Sequence, residues 1–210
     1  MEDVLDVYER PYDAKRPVVC IDEVSKTLHS TPRTEEPTGS NTTTRQDYEY
    51  ARQGKRNVFL WVEPLTGAVG AHVTNRRTSV DFASELRHLV DDVYPGAEII
   101  VLVTDNLNTH TSACLYEAFD PEEARRVAKR IEWHYTPEHG SWLNMAEIEL
   151  SVLSRQCLAR RIPDQATLVR EVAAWEMERN STPVKIEWQF TTTDARIKLR
   201  KLYPERKKSG

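Results

Sequence analysis

The sequence predicts an α/β protein with a mixed central sheet flanked by helices. Three observations carry this. Three β-type segments come first, the second and third spaced as a hairpin. Helical and β-type segments alternate after them. The fourth β segment, Ile99 to Val103, is apolar throughout, the mark of a strand covered on both faces.

Residues 1–16 read as a polar lead-in. VVCIDEVS, residues 18–25, is a strand with Asp22 in its second half. Residues 26–47, rich in Thr, Pro, Ser and charge, read as a long loop. NVFLWVEP (57–64) and GAVGAHVT (67–74) flank a TG turn and form the hairpin. In SVDFASELRHLVDDVY (79–94), Val80, Phe82, Ala83, Leu86, Leu89, Val90 and Val93 share a helical face, with Ser79 as the expected N-cap and Pro95-Gly96 as the stop. EIIVLVTD (98–105) is the fourth strand. Residues 111–130 are helical with a break at Asp120-Pro121, and IEWHYTP (131–137) is a fifth strand. WLNMAEIELSVLSRQCL (142–158) reads as one long helix ended by Pro163, and residues 164–181 as another, capped by Asp164.

At 210 residues the chain is sized for one domain with a short appendage. Hydrophobic residues at 39% and charged residues at 30% suit a globular protein rather than a disordered one. No apolar run approaches the ~20 residues of a membrane span, and the acidic start MEDVLDVYER lacks the apolar core of a signal peptide. Cys20, Cys114 and Cys157 form no CxxC pair, which argues against structural zinc or a disulfide framework and for a reducing cytosol. A net charge of −4 is a poor footprint for a protein that mainly grips nucleic acid. The positive charge is uneven: RIKLRKLYPERKK (196–208) is strongly basic, and Arg52, Lys55, Arg56, Arg76 and Arg77 gather around two β segments.

The acids are more telling. Asp22 interrupts an apolar strand, where a carboxylate is costly unless paired or bound to metal. Asp105 ends the fourth strand, and the carboxyl ends of strands are where α/β sheets place ligands. Glu147 and Glu149 lie in the long helix, about 200° apart, so one alone can face the sheet. Sharing a face with Leu143 and Leu150, Glu147 is the expected choice, with Glu149 as the fallback. Three carboxylates from two strands and a helix suit two divalent cations of the Mg²⁺ type, which take oxygen ligands and are shared with phosphate.

VCIDE, VLVTDNLNTH and YTPEHGSWLNMAEIEL together resemble the catalytic core of DDE transposases, of the mariner-like superfamily and specifically the bacterial insertion-sequence 630 family. The tail WQFTTTDARIKLRKLYP resembles the end of the same domain, so the likeness spans roughly residues 8–204. It implies a ribonuclease H-like fold and two Mg²⁺ ions, replaceable by Mn²⁺, held by Asp22, Asp105 and Glu147. Asn106, His110, His139 and Asn144 would support the ligands or face DNA. For His110 a helix-start hydrogen bond is the competing role, for Ser141 a helix cap is favoured, and Trp142 reads as packing rather than base stacking. Trp61, Trp133, Trp175 and Trp188 read as core or partner contacts. The implied activity is DNA phosphodiester hydrolysis and strand transfer at transposon ends, by a homo-oligomer assembled on DNA in the bacterial cytoplasm. A nuclease without strand transfer and a non-catalytic fragment that binds DNA or a partner are the alternatives. The expected organisation is a lead-in (1–16), a catalytic domain (17–182) and a basic tail (183–210), without the family's N-terminal helix-turn-helix. One departure is the gap of 42 positions (147 − 105) between the second and third acids, longer than usual, with the excess expected around DPEEARRVAK.

Overall fold

Antiparallel strands need only a turn between them, whereas parallel strands need a crossover; this chain uses both. The computed structural model describes residues 1–30, 51–138 and 140–203. Strands β1 (Val18–Ser30), β2 (Ala51–Glu63), β3 (Ala68–Thr74), β4 (Ile100–Thr104) and β5 (Ile131–Tyr135) form one sheet in the order β3-β2-β1-β4-β5. β2 pairs antiparallel with β1 and β3, while β4 pairs parallel with β1 and β5. The sheet is therefore mixed, as expected, and changes sense at β1. At the β2–β3 turn Gly67 has φ 78°, and an added Cβ would lie 2.7 Å from the Val184 backbone, so glycine is required twice over.

Side-chain alternation divides the core between the two faces. Val18, Cys20, Leu60, Val62, Val101 and Val103 pack with helices α1 (Glu2–Tyr8), α5 (Ala146–Leu153), α6 (Gln165–Ser181) and α7 (Thr192–Lys198). Val19, Ile21, Phe59, Trp61, Ile100 and Leu102 pack with α2 (Ser79–His88), α3 (Ala113–Ala118) and α4 (Pro121–Ala128). All three cysteines are buried and free. Trp61 and Trp175 are core residues, as expected. Among the described residues, no helix is long and apolar enough to cross a membrane.

Several boundaries differ from expectation. The polar lead-in contains α1, whose Val4, Leu5 and Val7 are fully buried; seven residues between acids are too few to show a helical period. β1 continues to Ser30 and β2 starts at Ala51, because Lys26–Arg56 through Ser30–Ala51 extend the antiparallel ladder with mostly polar side chains around one buried residue, Leu28. Backbone pairing needs no apolar residue, so composition read this arm as loop. The rest of the expected loop, residues 31–47, lies outside the described residues. Thr78, not Ser79, caps α2, in a reciprocal capping box with Asp81. Asp164 caps α6 as expected. The expected helix over 142–158 is three pieces: a 3₁₀ turn Ser141–Leu143, α5, and a wider π turn Ser154–Leu158. The basic tail contains α7, capped by Thr191 with Asp194 and tied to α1 by Arg196–Glu2 and Thr192–Asp6 bonds.

If α1 is part of the core, Leu5→Ala should lower unfolding free energy by about 2–5 kcal/mol, the range for a buried Leu truncation. Urea denaturation measures this; a change under about 0.5 kcal/mol, typical of a surface site, would show α1 to be dispensable.

Candidate metal centre

The parallel pairing of β1 with β4 sets the site. Cys20 stands opposite Val103. Two residues further along each chain come Asp22 and Asp105, so this register carries both acids to one level, at the carboxyl end of β4 and in the first half of β1. Alternation gives Asp22 the side of Cys20, the face covered by α5, while Asp105 follows the last residue of β4 and bonds His110. Asp22 is 8% exposed, accepts from the Glu23 amide at 2.8 Å and from Asn144 Nδ2 at 3.3 Å, and among the described residues has no cationic partner. Burial, assisted by the negative charges of Glu147, Asp105 and Glu23 and opposed by the Glu23 amide, pushes its pKa up to about 7.

Asn144 joins this edge to the third acid. Its Nδ2 also donates to the Ile21 carbonyl at 2.9 Å, and its Oδ1 accepts from the Ala146 amide at 3.1 Å, at the start of α5. Fully buried, it ties β1 to the helix that carries Glu147. Glu147 is exposed in the first turn of α5, and its charge is felt at Asp22. The expectation that Glu147 shares the inward face is thus corrected: Glu149 faces the core. Helix α5 starts at Ala146, so Leu143 is no guide to its faces, and Ala146, Glu149, Leu150 and Leu153 form the buried stripe. Glu149 is 1% exposed and makes a bidentate pair with Arg179 at 2.7 and 2.9 Å. Its charge is neutralised, which removes the reason to hold a metal; the fallback assignment loses its support.

His110, 2% exposed, bonds through Nδ1 to Asp105 Oδ1 and lies 3.3 Å through Nε2 from Glu23 Oε2. Burial disfavours the imidazolium, but Asp105 and Glu23 outweigh it and push the pKa to about 9. His110 therefore contacts a site acid, and its ring supplies no helix cap. Glu23, inside the quoted VCIDE, was not singled out in the sequence; its partner is 87 positions away (110 − 23).

Asp105, exposed Asn106, Leu107, Thr136, Pro137, Glu138 and Ser141 line an open cleft of about 420 Å³. Ser141 caps nothing: Gly140 precedes the 3₁₀ turn and no side-chain cap bond forms. Trp142 packs on Trp188 and Phe190 while remaining 46% exposed. His139 lies outside the described residues.

Asp22, buried and without a cationic partner among the described residues, has Asp105 and Glu147 near it, and carboxylate oxygens of this kind suit a hard, oxygen-seeking dication. Among the described residues, no three His, Cys, Asp or Glu side chains form a ready-made ion cage; the acids share an edge and a field. Because the folded pKa of Asp22 is raised, its ionised form costs stability, increasingly as pH rises from about 4 to about 7. In chelator, Asp22→Asn should therefore be more stable than the parent at pH 8, by on the order of 3 kcal/mol, with the advantage fading toward pH 4. Glu149→Gln should instead destabilise by about 3 kcal/mol, since it strands Arg179. Thermal melts at both pH values decide it; a destabilised Asp22→Asn would show that the carboxylate is compensated.

A family model described as DDE superfamily endonuclease matches residues 17–169. No curated protein matches. Among solved structures, the mariner Mos1 paired-end complex with Mg is 16% identical with a TM-score of 0.50, over 88% of this chain and 54% of that one. A pre-cleavage Mos1 transpososome is 12% identical with a TM-score of 0.49, over 85% of this chain and 58% of that one. The Mos1 strand transfer complex is 12% identical at 0.48, over 84% and 56%. The chain thus spans a little over half the length of these structures, and the mixed five-stranded sheet flanked by helices is the ribonuclease H-like fold. The match covers most of the sequence, and the chain belongs to the DDE superfamily endonuclease family.

Proposed function

We propose that this chain is the catalytic part of a transposase of the insertion-sequence 630 type, cutting DNA at the ends of a mobile element and joining the cut end to a new strand. The observation that carries this is that strand register brings Asp22 and Asp105 to one level, with Glu147 on the adjoining helix, and that Asp22 has no counter-charge among the described residues. VCIDE and DNLNTH support the finer family reading. Membership of an endonuclease family supports nucleic acid as the substrate, and the Mos1 paired-end complex with Mg supports a divalent ion as ligand.

Asp22, Asp105 and Glu147 would hold Mg²⁺, or Mn²⁺ in its place. Two bound ions would activate an attacking water or hydroxyl and stabilise the leaving oxygen of an in-line displacement. Asn144 holds Asp22 against β1, and the cleft along Asp105 and Asn106 gives a phosphodiester access from solvent. Without cations the acids repel DNA phosphates, so productive docking requires metal as well as catalysis does. By the same resemblance the protein acts as an oligomer on DNA in the bacterial cytoplasm.

Asp22→Asn, Asp105→Asn and Glu147→Gln should each reduce Mn²⁺-dependent nicking of supercoiled plasmid to background while remaining folded by circular dichroism. Cleavage that persists in excess chelator, or in Glu147→Gln, would overturn the assignment. Joining of a labelled 3′-hydroxyl end to a second duplex separates a transposase from a nuclease that only cuts. With a net charge of −4, binding of duplex DNA by this chain alone should be weak and fall steeply between 50 and 200 mM salt. Gel shifts across that range test it, and salt-independent tight binding would contradict it.

A further inference from the structure

We propose that Glu23 and His110 form a brace that fixes the orientation of the Asp105 carboxylate, making both positioning residues of the metal centre. The inference rests on the metal reading above and extends it to the opposite face of the sheet.

Asp22 and Glu23 are successive in β1, so their side chains leave on opposite faces. Glu23 enters the side packed by α2 and α3, where its side chain is 3% exposed. An apolar residue would suit that environment better, because a buried carboxylate is costly there. Two contacts retain it. Arg77 Nη1, on a side chain 56% exposed, meets Glu23 Oε1 at 3.2 Å from the solvent side. On the inner side, among the described residues, Glu23 Oε2 makes no hydrogen bond and has only the His110 Nε2 contact at 3.3 Å. The Phe82 ring stacks on the imidazole, centroids 4.1 Å apart at 30°, and keeps it from turning. The other ring nitrogen then bonds Asp105 Oδ1.

Asp105 needs such a brace. β4 ends at Thr104, so Asp105 lies just past the last ladder residue. Asp22 is held within a ladder and by Asn144; among the described residues, Asp105 is held by His110 alone. A ligand with a free χ1 must be ordered when the ion binds, which weakens affinity. With Oδ1 engaged, Oδ2 is the oxygen left for a cation.

The test is Mn²⁺ binding to the full chain, followed by the electron paramagnetic resonance signal of free Mn²⁺ at one pH. In Asn the amide nitrogen falls near the place of Nδ1, and in Gln near that of Nε2. His110→Asn therefore keeps the bond to Asp105 and His110→Gln loses it, while both delete the stacked ring and share that cost to the fold. His110→Gln should weaken Mn²⁺ binding about tenfold or more, and His110→Asn should stay within about threefold of the parent. Glu23→Gln should fall between them. Equal affinities in the two His110 variants, or an unchanged Glu23→Gln, would overturn the brace while leaving the metal centre standing. A parent that binds Mn²⁺ no better than the Asp22→Asn/Asp105→Asn double variant would overturn the metal reading, and the brace with it.

Discussion

Everything at this site depends on the parallel pairing of β1 with β4. A one-residue slip would move Asp105 off the level of Asp22 and turn the apolar side chains of β4 to the wrong faces. Cys20 opposite Val103 fixes the register, and the register is fixed in turn by burial. Val18 and Cys20 fill one core with Val101 and Val103, while Val19 and Ile21 fill the other with Ile100 and Leu102. Because both faces are packed, no slipped pairing conserves the buried area. Hydrophobic contact on two sides thus aligns two carboxylates that would otherwise repel each other.

The acids fall into two kinds. Glu149 is more deeply buried than Asp22, yet Arg179 compensates it with two bonds and the pair stitches α5 to α6. Asp22 has an amide, an asparagine and nearby negative charge. A structural carboxylate acquires a cation from the protein, whereas a ligand must wait for one from solution. Burial alone would rank Glu149 ahead of Asp22 as the acid in need of a cation; the partner distinguishes them. Metal binding would convert the unfavourable field at Asp22 into ligand-linked stability, which ties the folded state to the loaded state.

The strands, the hairpin, α2, the break at Asp120-Pro121 and α6 were legible because each carries its own period, turn or cap. Asp22 could be singled out because a carboxylate inside an apolar strand is costly, whereas Asp105, placed like an ordinary turn residue or helix cap, gained its meaning from the resemblance. What could not be read depended on distant partners. Arg179 stands 30 positions from Glu149, and without it Glu149 looks like a solvent residue. The face of α5 was misassigned because Leu143 was counted as helical, while the chain bends at Asn144, whose side chain turns back to β1. α1 was missed for a related reason: its three buried residues acquire meaning only from the core they enter.

That helix links the periphery of the fold to its chemistry. The Tyr8 hydroxyl, at the end of α1, donates to the Leu143 carbonyl at 2.6 Å. Leu143 is the last residue of the 3₁₀ turn, and Asn144 follows it. The N-terminal helix therefore fixes, from outside the sheet, the peptide that aims Asn144 at Asp22. The C-terminal tail secures α1 in turn, through Arg196 of α7 and Tyr203 beyond it to Glu2, and through Thr192 of α7 to Asp6. Asp22 is thus supported along a chain that starts in the C-terminal tail, and Asp105 along another that starts at exposed Arg77. The two supports come from opposite faces of the sheet and share no side chain. Loosening one leaves the other acid placed, so separate substitutions along the two chains would act on Asp22 and on Asp105 independently.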